Sequence, residues 1–232
     1  MTSLIGSPPR LRLFVSDMDS TLIEQEVIDE LAREANRYEE VAQVTQRAMA
    51  GELDFAQALR ERVSILEGLD EGALDRVQSR LRVTPGTDRL LRALRTWDVT
   101  TAVVSGGFLE IVEPFRERLG MDRAEANRLE IRNGELTGRL SGPIVDRARK
   151  AAFLRELQDE LGIEREQVLA VGDGMNDLDM LKAAGFGVAF DPKPALRQRV
   201  QYSVDERRLD LVLEAIGYSK QDIDEASNQA LP

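Results

Sequence analysis

Three polar clusters carry the residue types able to do chemistry: Asp17-Met18-Asp19-Ser20-Thr21, Ser105-Gly106-Gly107 and Gly172-Asp173-Gly174-Met175-Asn176-Asp177. Asp17 and Asp19 stand two apart, so on an extended chain their side chains point the same way. One carboxylate of such a pair can attack phosphorus while the other handles the proton of the leaving group. Two carboxylates that close repel, which raises the pKa of one and keeps it protonated for general-acid work. A bare carboxylate approaching a phosphate dianion is repelled as well. Asp173 and Asp177 offer the hard oxygen ligands that Mg2+ prefers, and the ion would neutralise both partners. Ser105 and the backbone N–H groups around Gly106 and Gly107 can hold phosphoryl oxygens where a helix starts. A positive side chain is still required opposite the metal. Lys150 is the best candidate, with Arg147 and Arg149 adjacent and not separated from it by spacing alone. Taken singly, each feature has an ordinary explanation: Asp and Ser cap helices, glycine turns the chain, and a helix lysine is usually solvated. Their coincidence complements a phosphate monoester.

The elements that position these clusters are legible as short apolar runs. Leu11 to Ser16, Val99 to Val104, Val168 to Val171 and Gly187 to Phe190 each suit a buried strand. Helical patterns lie between them, at Thr87 to Thr96, Phe108 to Leu119 and Ala148 to Leu161. The alternation predicts an α/β fold with a doubly wound, mainly parallel sheet, in which ligands collect outside the carboxyl ends of the strands. All three polar clusters sit at such ends. From Glu24 to about Val83 there is no convincing strand but successive helical patterns, such as Val27, Ile28, Leu31 and later Phe55, Leu59, Val63, Leu66. The expected division is a catalytic core of residues 1–22 and 85–232 with a helical cap, 23–84, inserted after the first strand. Leu129 to Leu140 carries Asn133-Gly134 between alternating arms, the signal of a hairpin, expected to be a small flap. Gln221 to Pro232 reads as a polar tail that frays.

Composition narrows the chemistry further. The 232 residues include neither His nor Cys, which removes a Ser-His-Asp triad, a thiolate nucleophile, a phosphohistidine and the usual zinc sites. With 42 acidic and 31 basic residues the formal charge is -11, against a general nucleic-acid or anionic-membrane surface. No apolar run approaches the roughly 20 residues of a membrane span, and Met1 to Arg10 has no apolar signal-peptide stretch, so a cytoplasmic setting is the default.

The segments FVSDMDSTL, VVSGG, IVDRARKA and VGDGMNDLDML resemble the four motifs of the haloacid dehalogenase superfamily. EVIDELA, AMAGELDFAQALRERVSIL and NRLEIRNGELTG extend the similarity, from about Leu11 to Ile216, to its phosphoserine phosphatases. The resemblance implies that Asp17 is the nucleophile and that Asp19 is first the acid and then the base. It further implies Mg2+ on Asp17, Asp173 and the backbone carbonyl of Asp19, with Asp177 supporting the metal's water shell and Asn176 the surrounding site. Ser105, Gly106 and Lys150 would grip the phosphoryl group, beside Gly107. In the cap, Glu26 would receive a substrate ammonium and Arg62 a carboxylate, while Met49 and Phe55 would form an apolar wall. Phe55 and Arg62 are seven apart, almost on one side of a helix.

The implied activity is hydrolysis of phosphoserine in serine biosynthesis by a monomer or homodimer. The alternative is a related phosphatase or phosphotransferase for another phosphomonoester, such as phosphohomoserine or a sugar phosphate. An N-terminal regulatory domain of the kind some relatives carry is expected to be missing, and FDPKPALRQ matches the family's Lys-Pro loop only loosely.

Overall fold

A computed structural model describes residues 8–229. Seven strands, β1 (Leu13–Ser16), β2 (Thr100–Phe108), β3 (Arg123–Arg132), β4 (Glu135–Ser141), β5 (Val168–Gly172), β6 (Phe186–Phe190) and β7 (Tyr202–Val204), form one sheet in the order β4-β3-β2-β1-β5-β6-β7. All pairings are parallel except that of β3 with β4. The chain moves outward from β1 to one side through β2 and β3, then returns to the other through β5, β6 and β7. The reversal makes β1 the switch point, where a crevice opens at the strand ends. Register aligns that edge, because Ser16 lies opposite both Val103 and Val171.

Four helices follow β1: α1 (Val27–Glu34), α2 (Tyr38–Met49), α3 (Phe55–Ser64) and α4 (Gly72–Arg80). Then come α5 (Thr87–Thr96), α6 (Leu109–Leu119), α7 (Arg147–Leu161), α8 (Leu178–Ala183), α9 (Pro194–Arg197), α10 (Leu211–Ala215) and α11 (Lys220–Asn228). Side chains of β1 alternate between two cores: Phe14 packs with residues of α5, α6, α10 and α11, while Leu13 and Val15 pack with Leu154 of α7 and Leu181 of α8. Burial on both faces explains why the central strands are uninterrupted apolar runs. No helix among the described residues is long and apolar enough to cross a membrane.

Several elements differ from the sequence reading. The Ser105-Gly106-Gly107 cluster lies within β2, not in a loop after it, and the β2–β3 register shifts between Ser105 and Phe108. β3 starts at Arg123, well before the expected hairpin, in a stretch whose polar, partly exposed residues hide the strand pattern. The three-residue β7 has too little sequence to be visible. Asn133 and Gly134 do form the turn, both with positive φ (53° and 81°), as a type I′ hairpin requires. That hairpin is tied to the connection between α3 and α4: Gly68 N–H donates to Leu136 O at 2.9 Å, and Glu71 N–H to Gly134 O at 2.8 Å. The supposed fraying tail is largely helix, since Ser219 and Asp222 form a capping box and Ile223 and Ala226, three apart, bury one face. Residues 230–232 of that stretch lie outside the described residues.

The two connections to the helical insertion pair with each other through an antiparallel bridge, Ile23 to Val83, flanked by Thr84 N–H to Leu22 O at 2.9 Å. On the far side of the sheet, a Cβ on Gly187 of β6 would overlap the backbone of Leu181 in α8. Gly187→Ala is therefore expected to lower stability by about 1–3 kcal/mol, the usual range for overpacking, measurable as a shift in denaturant midpoint at constant slope. An unchanged midpoint would show that α8 yields at no cost.

Candidate active site

Where β1 ends, the backbone does not enter a regular helix. Asp17 and Asp19 keep extended dihedrals (ψ 163° and 134°), and Ser20 adopts a left-handed one (φ 56°). Ser20 thereby aims its hydroxyl at Glu26, donating to Oε1 at 2.8 Å. Asp17 Oδ1 accepts from its neighbour's amide, Met18 N–H, at 2.8 Å and from Lys150 Nζ at 2.7 Å. Lys150 Nζ also donates to Asp177 Oδ1 at 2.7 Å, and Gly174 N–H to Asp177 Oδ2 at 3.1 Å. Asp17, Asp173 and Asp177 each bring a carboxylate oxygen to within 4.8 Å of the others. Asp17 follows β1, Asp173 and Asp177 follow β5, and Lys150 lies on α7.

Tertiary structure separates Lys150 from its neighbours. Its side chain is 1% exposed, whereas Arg147 pairs with Asp179, and Arg149 with Glu125 and Glu156. Burial works against the Lys150 charge, but Asp17 and Asp177 outweigh it and hold the ammonium above its ordinary range. Burial and the charge of Asp177 push Asp17 up to about 8, with Lys150 opposing. Burial, then the charges of Glu26 and Asp17, raise Asp19 well above a usual carboxyl. Asp173 is raised by burial and partly held down by Lys193, whose Nζ lies 3.1 Å from Asp173 Oδ2.

Ser105 is fully buried, and its Oγ accepts from Gly107 N–H at 2.8 Å. A Cβ on Gly107 would lie 3.1 Å from Asp19 Oδ2, and one on Gly106 would lie 3.1 Å from Phe55 Cζ. The glycines let Asp19 and the α3 aromatic come this close to β2. Beside them is a cavity of about 210 Å³ lined by Asp17, Asp19 and Asp173 together with Glu26, Phe55 and Arg62. Gly106, Gly107 and Asn176 also line it. Burial lowers the Arg62 pKa, while Glu26, Asp29 and Asp19 counteract that. Its Nε donates to Ala58 O at 3.3 Å.

Met49 departs from the expectation. It is the last residue of α2, 82% exposed, and outside the cavity lining. Ile28, Leu59 and Phe108 join Phe55 in the apolar lining instead, and Lys193 lines the cavity beside Asp173. The sequence held a signal for Lys193, which follows the end of β6 much as Asp173 follows β5.

A model of the haloacid dehalogenase-like hydrolases matches residues 14–182. The chain is 48% identical over 219 residues to a phosphoserine phosphatase of Streptomyces coelicolor, covering 94% of this chain and 53% of that one. It thus spans about half the length of that relative. A phosphoserine phosphatase of Lactococcus lactis is 43% identical over 204 residues, covering 88% of this chain and 94% of the relative. A solved structure described as a phospho-aspartyl intermediate analogue of phosphoserine phosphatase superposes with a TM-score of 0.83 at 40% identity, covering 88% of this chain and 98% of the other. Asp17, Ser105, Lys150, Asp173 and Asp177 all fall inside the matched span, and the chain belongs to the haloacid dehalogenase-like hydrolase family.

Proposed function

We propose that the chain is a phosphoserine phosphatase that hydrolyses O-phospho-L-serine through an aspartyl phosphate on Asp17. The observation that carries this reading is one small cavity lined by the carboxylates of Asp17, Asp19 and Asp173 and by the opposite charges of Glu26 and Arg62, with Lys150 buried behind it on Asp17. The names of the relatives supply the substrate class. Residues 23–84 act as a cap over the catalytic core.

In this reading Asp17 attacks phosphorus, the bond from phosphorus to the serine oxygen breaks, and the Asp19 carboxyl gives that oxygen its proton. The raised pKa of Asp19 supports a proton being held there. Asp19, now ionised, takes a proton from water as the water oxygen attacks the aspartyl phosphate, releasing phosphate and restoring Asp17. Ser105 donates a hydrogen bond to the phosphoryl group, Lys150 offsets its charge, and Glu26 and Arg62 orient the amino-acid end. The converging carboxylates of Asp17, Asp173 and Asp177 fit a hard divalent cation by donor type and spacing. Mg2+ held by Asp17, Asp173 and the carbonyl of Asp19, with Asp177 in support, would supply positive charge against nucleophile and phosphate. The reading includes a cytoplasmic role in serine biosynthesis without nucleic-acid or membrane partners.

A panel of phosphomonoesters tests it. Phosphoserine should dominate, phosphate should appear without transfer to added alcohols, and chelation should abolish turnover until Mg2+ is restored. Dominant turnover of a sugar phosphate, or full activity after chelation, would contradict it. The cation-free pKa of about 8 at Asp17 adds a signed expectation. Below that pH the cation must displace a proton, so apparent Mg2+ affinity, read from the Mg2+-induced rise in Tm, should strengthen up to about pH 8 and then level off. An affinity independent of pH between 6 and 8 would exclude that competition.

A further inference from the structure

Asn127 on β3 is 1% exposed and has no part in the steps above. Its Nδ2 donates to Gly106 O at 2.8 Å and its Oδ1 accepts from Val145 N–H at 2.8 Å. Only one orientation of the amide satisfies both, because the carbonyl needs a donor and the N–H an acceptor. The bond to Gly106 lies where the β2–β3 register shifts, between Ser105 and Phe108. The amide thus fixes backbone in a break of the regular ladder.

The Gly106 carbonyl shares its peptide unit with Gly107 N–H, which donates to Ser105 Oγ. Because Ser105 Oγ accepts that bond, its own O–H is left to donate to another acceptor. Ser105 Oγ and Asp19 Oδ2 lie on the same side of Gly107, 3.0 Å and 3.1 Å from the position its Cβ would take. The other partner of Asn127, Val145, precedes Asp146, the residue that caps the helix carrying Lys150.

Resting on the phosphatase reading, we infer that Asn127 is a positioning residue for phosphoryl transfer, acting through the Gly106–Gly107 peptide to keep Ser105 a hydrogen-bond donor toward the phosphoryl group. Its amide touches neither substrate nor nucleophile. It sets the polarity of a hydroxyl two peptide groups away and joins the end of β2 that bears this hydroxyl to the start of α7.

A double-mutant cycle tests this, with Asn127→Ala made alone and with Ser105→Ala, and kcat measured on phosphoserine and p-nitrophenyl phosphate. Alone, Asn127→Ala should lower kcat about 10- to 100-fold on both substrates, somewhat less than outright loss of a transition-state donor. In the Ser105→Ala background it should lower kcat by less than about 3-fold, because the group it orients is gone. Equal losses in both backgrounds, or a loss confined to phosphoserine, would overturn the inference. Asn127→Asp keeps the volume and serves if Asn127→Ala does not fold. Its protonated carboxyl still offers one O–H to Gly106 and its ionised form none, so its deficit relative to the parent should deepen as pH rises; a constant deficit counts against the role. p-Nitrophenyl phosphate shares only the phosphoryl group with phosphoserine. If the parent chain ignores phosphoserine, the substrate reading fails while the cycle on p-nitrophenyl phosphate still decides Asn127.

Discussion

Asp17→Asn is expected to abolish turnover, and Asp19→Asn to lower kcat by about 100- to 10,000-fold, the range typical of a lost proton transfer. The difference follows from the two roles. An amide at position 17 can still accept from Met18 N–H and Lys150, the two bonds the carboxylate makes through Oδ1, so the fold should survive. It cannot form the mixed anhydride that nucleophilic attack requires. Stability should hold or rise slightly, because one of several crowded acidic groups is removed from a buried site. At position 19 the amide leaves the nucleophile in place but can neither give the leaving group its proton nor activate water. A fluoride analogue of phosphate should be trapped on Asp17 in the parent and fail to be trapped in Asp17→Asn. Substantial phosphate release by Asp17→Asn, with its thermal unfolding intact, would remove the covalent mechanism.

Arg62→Ala and Glu26→Gln should each weaken phosphoserine turnover by roughly 2–5 kcal/mol in kcat/KM, the order seen when one partner of a buried charge pair is lost. Arg62 can clamp a carboxylate with two parallel hydrogen bonds, which lysine cannot reproduce. Burial already disfavours its charge, and Glu26, Asp29 and Asp19 only partly compensate, so an incoming carboxylate beside Arg62 would be welcome. Glu26 is held by Ser20 Oγ at 2.8 Å, which orients it for an ammonium before substrate arrives. Hydrolysis of p-nitrophenyl phosphate, which has neither group, should change far less. Equal losses on both substrates would mean that these residues serve folding or cap closure, and the substrate assignment would lose its main physical support.

The carboxylates at the strand ends were legible because their signal is local. Asp17, Asp19, Asp173 and Asp177 each follow an apolar run, and a run buried on both faces of a parallel sheet announces itself and its carboxyl end. The helical insertion was legible too, since its amphipathic spacing is a property of each helix alone. The edges of the sheet were not: β3 begins in polar, partly exposed residues, and β7 has only three. Lys150 could not be told from Arg147 or Arg149 by position, because helical spacing defines faces but not which face the sheet will cover. Packing of α7 against the sheet decided it, sending Lys150 to Asp17 and Asp177 and the arginines to outer acids. Met49 and Phe55 looked alike as apolar cap residues, yet only Phe55 reaches the cavity, because it opens α3 directly over Gly106. Asn127 carried no signal, since a polar residue in a polar strand becomes informative only when its two backbone partners, 21 and 18 residues away, are brought to it. The sequence by itself determined the candidate reactive groups and the strand ends that bear them. Tertiary structure alone decided which cation meets them and what holds the Ser105–Gly107 end of β2 in place, because those contacts join segments whose separation along the chain leaves no periodic trace.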